Sequence, residues 1–593
     1  MMNINKYIVI ATLALSAVPA FAQEPEKDLQ KAIVVEKDFV PVETKAVKPA
    51  TTPKEAAVQI QPTKLTFSDW TIPAQFETQL VPQSPIQYSG GQKFYKKPGY
   101  FNFGMGNFIN AVGSVGYRVI DTDKTKFGAW LQHNSTNGSV NPDELADVKQ
   151  FVVEDRLGLN FSNQFAKGML SAGLAYHFDK FNYYGAVNEL LADERQTVND
   201  FAAQIMWQNV PDESNNLNYH VGMEYDCLMM DKGIANGFGG KEYSFYEGVT
   251  ENRIKAQIGA EMVLDDLAFV GLNADFNYMA YKNPFFWDGE TFQPMVDDKS
   301  FSMLTLNPYY SKRTDRMNLR IGAMVDLSFN RGQFFRIAPD VHMDWAISRK
   351  VGLFVKATGG NHINTLKETT FRNRYVNPSL LLPLTHTIVD AEIGLNLGRF
   401  RGLSVSPFVG FVAARNALLP YMALSMTEGQ VDGLNSVKYD AVDMNGFKAG
   451  LNVSYIYDER VQFGARYVFT PQEDPETVPH DDSGVVSDDR AEHSFEARLK
   501  VTPIEKLDIR LSYELRTGRF SKSIVKNPVL DIEMVQYSHM ANISNLNLDA
   551  SYRINDWITA NVDFGNLLNR RYEIYKNIYA QRFNFLAGIG LKF

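Results

Sequence analysis

The chain has 593 residues, 45% of them hydrophobic and 12% aromatic, with a formal net charge of −9. Its one cysteine, Cys227, excludes an internal disulfide framework, and the acidic balance argues against a nucleic-acid partner. No segment approaches the roughly twenty consecutive apolar residues of a spanning helix, whereas a closed β-barrel remains open as a membrane architecture because only alternate strand residues meet lipid.

Residues 1–22 read as a signal peptide. A short start with Lys6 precedes an apolar stretch from Tyr7 to Val18, and Ala20 and Ala22 supply small residues before cleavage at Gln23. No cysteine follows that site, so a lipidated N-terminus is not expected. Residues 23–98 hold nine prolines, against fifteen in the far longer remainder. They show no amphipathic period and are predicted to be an extended periplasmic segment. Phe67, Trp70 and Phe76 in its second half are apolar enough to dock on a partner or to stopper a lumen.

Residues 99–593 then read as one long run of strands. Ile254, Ala256, Ile258, Ala260 and Met262 alternate with polar or small residues, turn at Asp265-Asp266, and return through Val270, Leu272, Ala274 and Phe276. The same pattern turns at Asp458-Glu459 and at Asn555-Asp556, which is hairpin chemistry. About 22 strands are predicted in all, joined alternately by short turns and long connections. With the first strand leaving the periplasm, an even count returns Phe593 to it and places every long connection outside the cell. The fold class is therefore all-β, an antiparallel outer-membrane barrel in which Cys227 shares the lipid-facing parity of Tyr219, Val221 and Met223. The opposite parity is rich in Asn, Asp, Lys, Glu and Ser, predicting a polar, hydrated lumen too wide to be filled by wall side chains. Something else must occlude it, or it leaks.

Two external loops are candidate contact sites. Phe285, Phe286 and Trp287 are aromatic residues placed to stack on a ligand or a protein partner. The acidic run from Pro471 to Arg490 is expected to be a solvated loop, without the spacing of a cation site. No nucleophile, base and orienter come together in the sequence, and no metal pair or cofactor motif is present, so no enzyme activity, metal or cofactor is predicted.

The final strand alternates Phe585, Ala587, Ile589, Leu591 and Phe593 outward, with Leu586 as an apolar exception among the intervening residues. Gly588, Leu591 and Phe593 resemble the C-terminal signal read by the barrel-insertion machinery. Just upstream, Gly565-Asn566-Leu567-Leu568-Asn569-Arg570-Arg571-Tyr572-Glu573 resembles the end of TonB-dependent receptors, a resemblance covering residues 98–593. It implies a 22-stranded barrel with long external loops, and a coupling box for TonB at Ile33, Val34 and Val35. The family also places a globular plug before the barrel, where this sequence has the Pro-rich segment; the resemblance is to the plug-less barrels of TonB-receptor type found in Bacteroidetes. An outer-membrane channel or receptor moving or binding a polar solute is expected. The alternative is a non-transporting barrel that scaffolds an envelope complex of periplasmic partners and surface lipoproteins. Either would meet outer-membrane lipid and lipopolysaccharide.

Overall fold

The computed structural model describes residues 97–593 apart from 141–147, 186–191, 211–215, 236–243, 266, 283–284, 288–291, 295–299, 379–381, 428–429, 433–436, 459, 473–489 and 528–531. Twenty-two strands form the wall. The first eleven are β1 (Gly99–Gly106), β2 (Ala111–Asp121), β3 (Thr125–Gly138), β4 (Gln150–Gln164), β5 (Gly168–Asn182), β6 (Arg195–Asn209), β7 (Leu217–Met230), β8 (Thr250–Asp265), β9 (Ala268–Lys282), β10 (Ser300–Arg313) and β11 (Met317–Phe329). The second eleven are β12 (Phe335–Ala346), β13 (Val351–His362), β14 (Thr385–Phe400), β15 (Leu403–Thr427), β16 (Val437–Tyr457), β17 (Val461–Phe469), β18 (His493–Ile504), β19 (Leu507–Thr517), β20 (Ile543–Arg553), β21 (Ile558–Gly565) and β22 (Asn584–Lys592).

Each strand pairs antiparallel with its neighbours in chain order, and β1 pairs with β22, from Tyr100 opposite Lys592 to Gly106 opposite Leu586. Beyond the last strand the seam is finished by Gly99 N–H donating to the Phe593 carbonyl at 2.8 Å and Phe593 N–H donating to the Gly99 carbonyl at 3.0 Å. A ring without an edge is what a lipid core requires, since an unpaired backbone group there costs several kcal/mol. The predicted strand count and closure hold.

Alternation sets the two faces. Phe101, Leu131, Leu157, Leu174, Ile205, Met223, Ile258, Leu272, Ile321, Phe411 and Ile589 are exposed on the outside, the apolar band that faces lipid. Cys227 falls on the same outward parity, as expected. Leu586, the exception on the last strand, points inward and is buried over Gly104.

One end carries short turns. Asp265 Oδ1 accepts from the N–H groups of Leu267 and Ala268 at 2.8 and 2.7 Å, and Asn555 Oδ1 accepts from Trp557 and Ile558 at 2.8 and 2.9 Å, side chains standing in for a backbone turn. Lys97 lies over the Trp557 ring at 3.6 Å on this same rim. The other end carries the long connections, and two of these are more regular than the sequence pattern suggests. β15 and β16 run on above the wall as one hairpin, from Ala417 opposite Val442 to Met422 opposite Val437. Met422–Ser425 also pairs in parallel with Ser523–Lys526, whose own hairpin partner is Ile532–His539. Strands that leave the membrane here keep their backbone groups paired rather than solvated.

The seam has little room for added side chains at Gly106. A Cβ on Gly106 would stand 1.7 Å from the Phe585 carbonyl oxygen, where only main-chain movement makes room. Gly106→Val is expected to prevent closure of β1 on β22, read as loss of the folded, heat-modifiable species on electrophoresis, while Gly464→Val on β17, with nothing within 4 Å of the added Cβ, keeps it.

Candidate functional site

The connection from β13 to β14, described over residues 363–378 and 382–384, enters the barrel. Its first turns form helix α1 (Leu366–Arg372), begun by Thr365, whose hydroxyl accepts from Glu368 N–H at 3.0 Å. Thr365-Leu366-Lys367-Glu368 has the Thr-x-x-Glu spacing of a helix start. The Leu366 and Lys367 N–H groups donate to the Glu251 carboxylate at 2.8 and 3.1 Å, so a side chain of the opposite wall satisfies the helix's first free donors.

Two cations then fix the loop to that wall. Lys367 Nζ sits 2.5 Å from Asp226 and 3.1 Å from Asp200. The Arg374 guanidinium reaches Asp179 at 3.3 Å and Glu154 at 3.4 Å. All four carboxylates belong to the inner face of β4–β7, on the parity opposite Leu157, Leu174, Phe201 and Met223. They lie a few residues below the outer strand ends, so the loop occupies the lumen rather than lying over its rim. The residual cavity between Lys367, Thr365 and the wall is about 10 Å³, room for about one water.

Apolar packing accompanies the charges. Leu366, Tyr375 and Leu382 join Val152, Phe181, Val198, Leu228 and Met230 of the inner wall in one buried cluster. Tyr375 is held edge-on to Phe181 and Tyr184, each with ring centroids 5.5 Å away, and burial pushes its phenol up to about 12. Each fully buried side chain of this size contributes about 1.5–3 kcal/mol. Ile363 and Leu384, the feet of the loop, pack with Met279, Phe301 and Met303 of β9 and β10. On its far side the loop meets β16, where Val437 N–H donates to the Tyr375 carbonyl at 2.8 Å and Asn377 N–H to the Val437 carbonyl at 2.9 Å. The loop thus touches walls on both sides of its root. The outer lumen is therefore not the wholly polar space that composition suggests.

A second connection, residues 566–583 between β21 and β22, closes the same region. Asn566 and Asn569 adopt left-handed backbone, at φ 47° and 49°, which asparagine tolerates better than most side chains. Asn566 Oδ1 accepts from Arg570 N–H at 3.0 Å and its Nδ2 donates to the carbonyls of Arg570 and Gln581 at 2.7 and 3.1 Å. Asn569 Oδ1 accepts from Arg582 Nε and Phe583 N–H at 3.1 and 3.2 Å. The Asn-Leu-Leu-Asn element that carries the family resemblance is thus a turn-forming device. Farther along, Tyr575 and Ile578 enter the buried cluster, Arg519 donates to the carbonyls of Glu573 and Ile574 at 2.8 Å each, and Tyr184 Oη donates to the Tyr579 carbonyl at 3.0 Å. Gln581 ties the loop to Asn110 and Thr136 beside the seam.

The residues singled out from sequence are dispersed. Gly588 lies at the seam, where a Cβ would stand 2.6 Å from the Phe103 carbonyl oxygen; Leu591 faces outward, and the Phe593 ring stacks on Tyr117 at 6.3 Å. Phe285–Trp287 pairs with Phe292–Pro294 in a short hairpin of the β9–β10 connection. Ala20, Ala22, Gln23, Ile33, Val34, Val35, Phe67, Trp70 and Phe76 lie outside the described residues, as does most of the acidic 471–490 loop. Sequence reasoning missed Lys367, Arg374 and Glu251. A signal was present: Phe181, Val198, Leu228 and Met230 are apolar on the polar face of their strands, near one end, which requires an apolar partner inside.

Fold and site together define an outer-membrane β-barrel of 22 strands into whose lumen its own loops fold near the outer mouth. Neither a family model nor a curated protein sequence matches the chain. Solved structures do. The siderophore receptor PirA from Acinetobacter baumannii superposes with a TM-score of 0.63 at 9% identity, covering 85% of this chain and 81% of that one. The ferric enterobactin receptor PfeA from Pseudomonas aeruginosa, in complex with enterobactin, gives 0.62 at 12%, covering 85% and 82%. FpvA of P. aeruginosa, bound to a heterologous pyoverdine, gives 0.57 at 13%, covering 84% and 72%. At such identities the likeness establishes the barrel architecture.

Replacing Lys367 and Arg374 together by Gln takes the loop's cations away from four wall carboxylates, of which Glu154 keeps Arg156 and His177 and Asp226 keeps Arg253, and is expected to weaken docking by about 3 kcal/mol, read as faster amide exchange over 366–376. Burial alone would lower the pKa of Lys367, but Asp200 and Asp226 outweigh it and hold the ammonium above its ordinary 10.5; its contribution is complete below that value and is lost as pH rises through the raised one. For Glu368, burial alone would raise the pKa, but the His362 hydrogen bond, with Arg372 and Arg253, holds it below its ordinary 4.5; its contribution is complete above 4.5 and is lost as pH falls through the lowered one. The shares of loop-amide protection that these two groups supply, corrected for intrinsic exchange, are therefore expected to be lost only at the alkaline extreme for Lys367 and only at the acid extreme for Glu368. Separately, Asn569→Ala is expected to cost about 1–2 kcal/mol, seen as an earlier denaturation midpoint with an unchanged strand spectrum.

Proposed function

We propose that this barrel is an outer-membrane receptor or channel of TonB-dependent-receptor type, in which the loops 363–384 and 566–583 occupy the lumen position that a separate plug domain takes in that family. The observation that carries the reading is the seating of Lys367 and Arg374 among carboxylates of the far inner wall, which makes the outer closure an element of the barrel itself. The likeness in fold to siderophore receptors supports a barrel that binds or admits a solute from outside. In this reading the chain is of the plug-less kind found in Bacteroidetes. Residues 1–22 direct export, with cleavage at Gln23, and 23–98 lie in the periplasm. Ile33, Val34 and Val35 offer TonB a strand, and Phe67, Trp70 and Phe76 dock at the inner mouth or on a partner. Gly588, Leu591 and Phe593 serve insertion. Phe285, Phe286 and Trp287 stand at the outer surface for a ligand or partner.

A second reading has its own observation. The buried cluster of Phe181, Tyr184, Leu228, Met230, Leu366 and Tyr375 is the kind of packing that seals a space, which suits a barrel that scaffolds surface lipoproteins and periplasmic partners without conducting.

Conductance of the mature chain in planar bilayers separates the two. Replacing 364–383 by a short Gly-Ser linker is expected to turn a closed barrel into one with a large, steady conductance, and removing 23–98 instead tests for an inner stopper. A barrel that stays closed after both changes contradicts the transport reading and favours the scaffold.

A further inference from the structure

The inner wall is close to neutral overall, but its charges are sorted by side. On β4–β6 the inner face presents Glu154, Asp179 and Asp200; on β7–β9 it presents Glu224, Asp226, Glu251, Glu261 and Asp275. Against these stand Arg156, Arg253 and Lys255. Half a turn around the 22-strand ring, β17–β19 present Arg466, Arg498, Lys500, Arg510 and Arg516 to the lumen, with Glu496, Asp508 and Glu514 between them; Arg516 is paired with Glu514 at 2.8 Å and Arg510 stands across from Asp549, which leaves Arg466, Arg498 and Lys500 as the cations of this wall. The acidic arc is the one on which the loop docks, and Lys367 and Arg374 take up its outer carboxylates. Among the described residues no such cover lies on Arg498, whose side chain is 67% exposed, with Glu496 3.7 Å away; Lys500 is 3.8 Å from Asp508, and Arg466 is exposed as well, 5.8 Å from the Phe408 ring.

Magnitudes decide what such an arrangement does. Strands about 4.8 Å apart and tilted about 40° make a 22-strand barrel about 45 Å across, whereas screening at physiological salt acts over about 8 Å. The arcs therefore do not create one field across the whole lumen; each governs the water within a Debye length of its own wall. Charges of one sign on a low-dielectric wall concentrate counter-ions there.

We infer that the β17–β19 wall is the solute-facing side of the lumen and takes anionic groups, carboxylate, phosphate or sulfate, while the loop holds the cation-attracting side occupied. This rests on the proposed channel or receptor reading and names its substrate class: a polar solute bearing negative charge. Arg466, Arg498 and Lys500 are the specificity-determining residues.

The test uses the full chain in lipid vesicles with Cys227→Ser, carrying either Ser512→Cys, directly across from Arg498 on β19, or Gln204→Cys, directly across from Glu224. Each thiol is titrated with a cationic trimethylammonium-ethyl and an anionic sulfonatoethyl methanethiosulfonate, with rates normalised to the unfolded chain. The anionic reagent is expected to be favoured at Ser512→Cys by roughly threefold or more and disfavoured at Gln204→Cys. Adding Arg466→Gln and Arg498→Gln should abolish the preference at Ser512→Cys and leave that at Gln204→Cys unchanged. Equal normalised ratios at the two positions overturn the inference and leave the channel reading standing. A Ser512→Cys thiol that neither reagent reaches until the chain is unfolded overturns both.

Discussion

A backbone N–H or carbonyl left unpaired in hydrocarbon costs several kcal/mol, and that constraint shapes everything else in this molecule. It forces the strands into a ring, and the ring is completed by the ladder between β1 and β22, down to the hydrogen bonds between Gly99 and Phe593. At this seam Gly106 and Gly588 lie against the facing backbone and Leu586 covers Gly104. Closing 22 strands creates a second problem, because wall side chains cannot fill so wide a lumen.

The chain answers with its own connections. Residues 363–384 are drawn inward by three kinds of attraction acting on one segment: Glu251 at the start of α1, two cations among wall carboxylates, and an apolar cluster around Tyr375. Charges taken out of water cost several kcal/mol each before their attraction is counted, so Leu366, Tyr375 and Leu382 supply much of the net stabilisation while Lys367 and Arg374 fix where the loop sits. The 566–583 connection then braces the arrangement from the seam side through Tyr575, Ile578 and Gln581. A closure built from packed side chains and paired charges is either docked or released, which is the behaviour a gate needs, and it is equally a durable seal.

Much of the barrel was legible in the sequence because a period of two is a long-range signal: it gave the strand count, the outward parity of Cys227, and the sidedness of turns such as Asp265-Asp266 and Asn555-Asp556. The Asn-Leu-Leu-Asn element was legible as a family mark but not as a left-handed turn, since its hydrogen-bond partners Gln581 and Arg582 become neighbours only when the last loop folds back. The site was not legible. Lys367 lies 141 residues from Asp226 and Arg374 lies 220 from Glu154, and no local pattern joins residues that meet only across a lumen. What the sequence did hold was a set of misplaced apolar residues, Val198, Leu228 and Met230, whose inward parity implies a partner without naming it.

The central claim, that the 363–384 loop lies docked on the inner wall, is tested most directly by cross-linking in intact outer membranes. With Cys227→Ser, the pair Lys367→Cys and Asp226→Cys is treated with a short bis-maleimide, alongside each single variant. The account predicts an efficient intramolecular link for the pair, with little labelling of Lys367→Cys by a bulky, membrane-impermeant maleimide from outside. Free labelling of that position from outside, with no link formed, would contradict it.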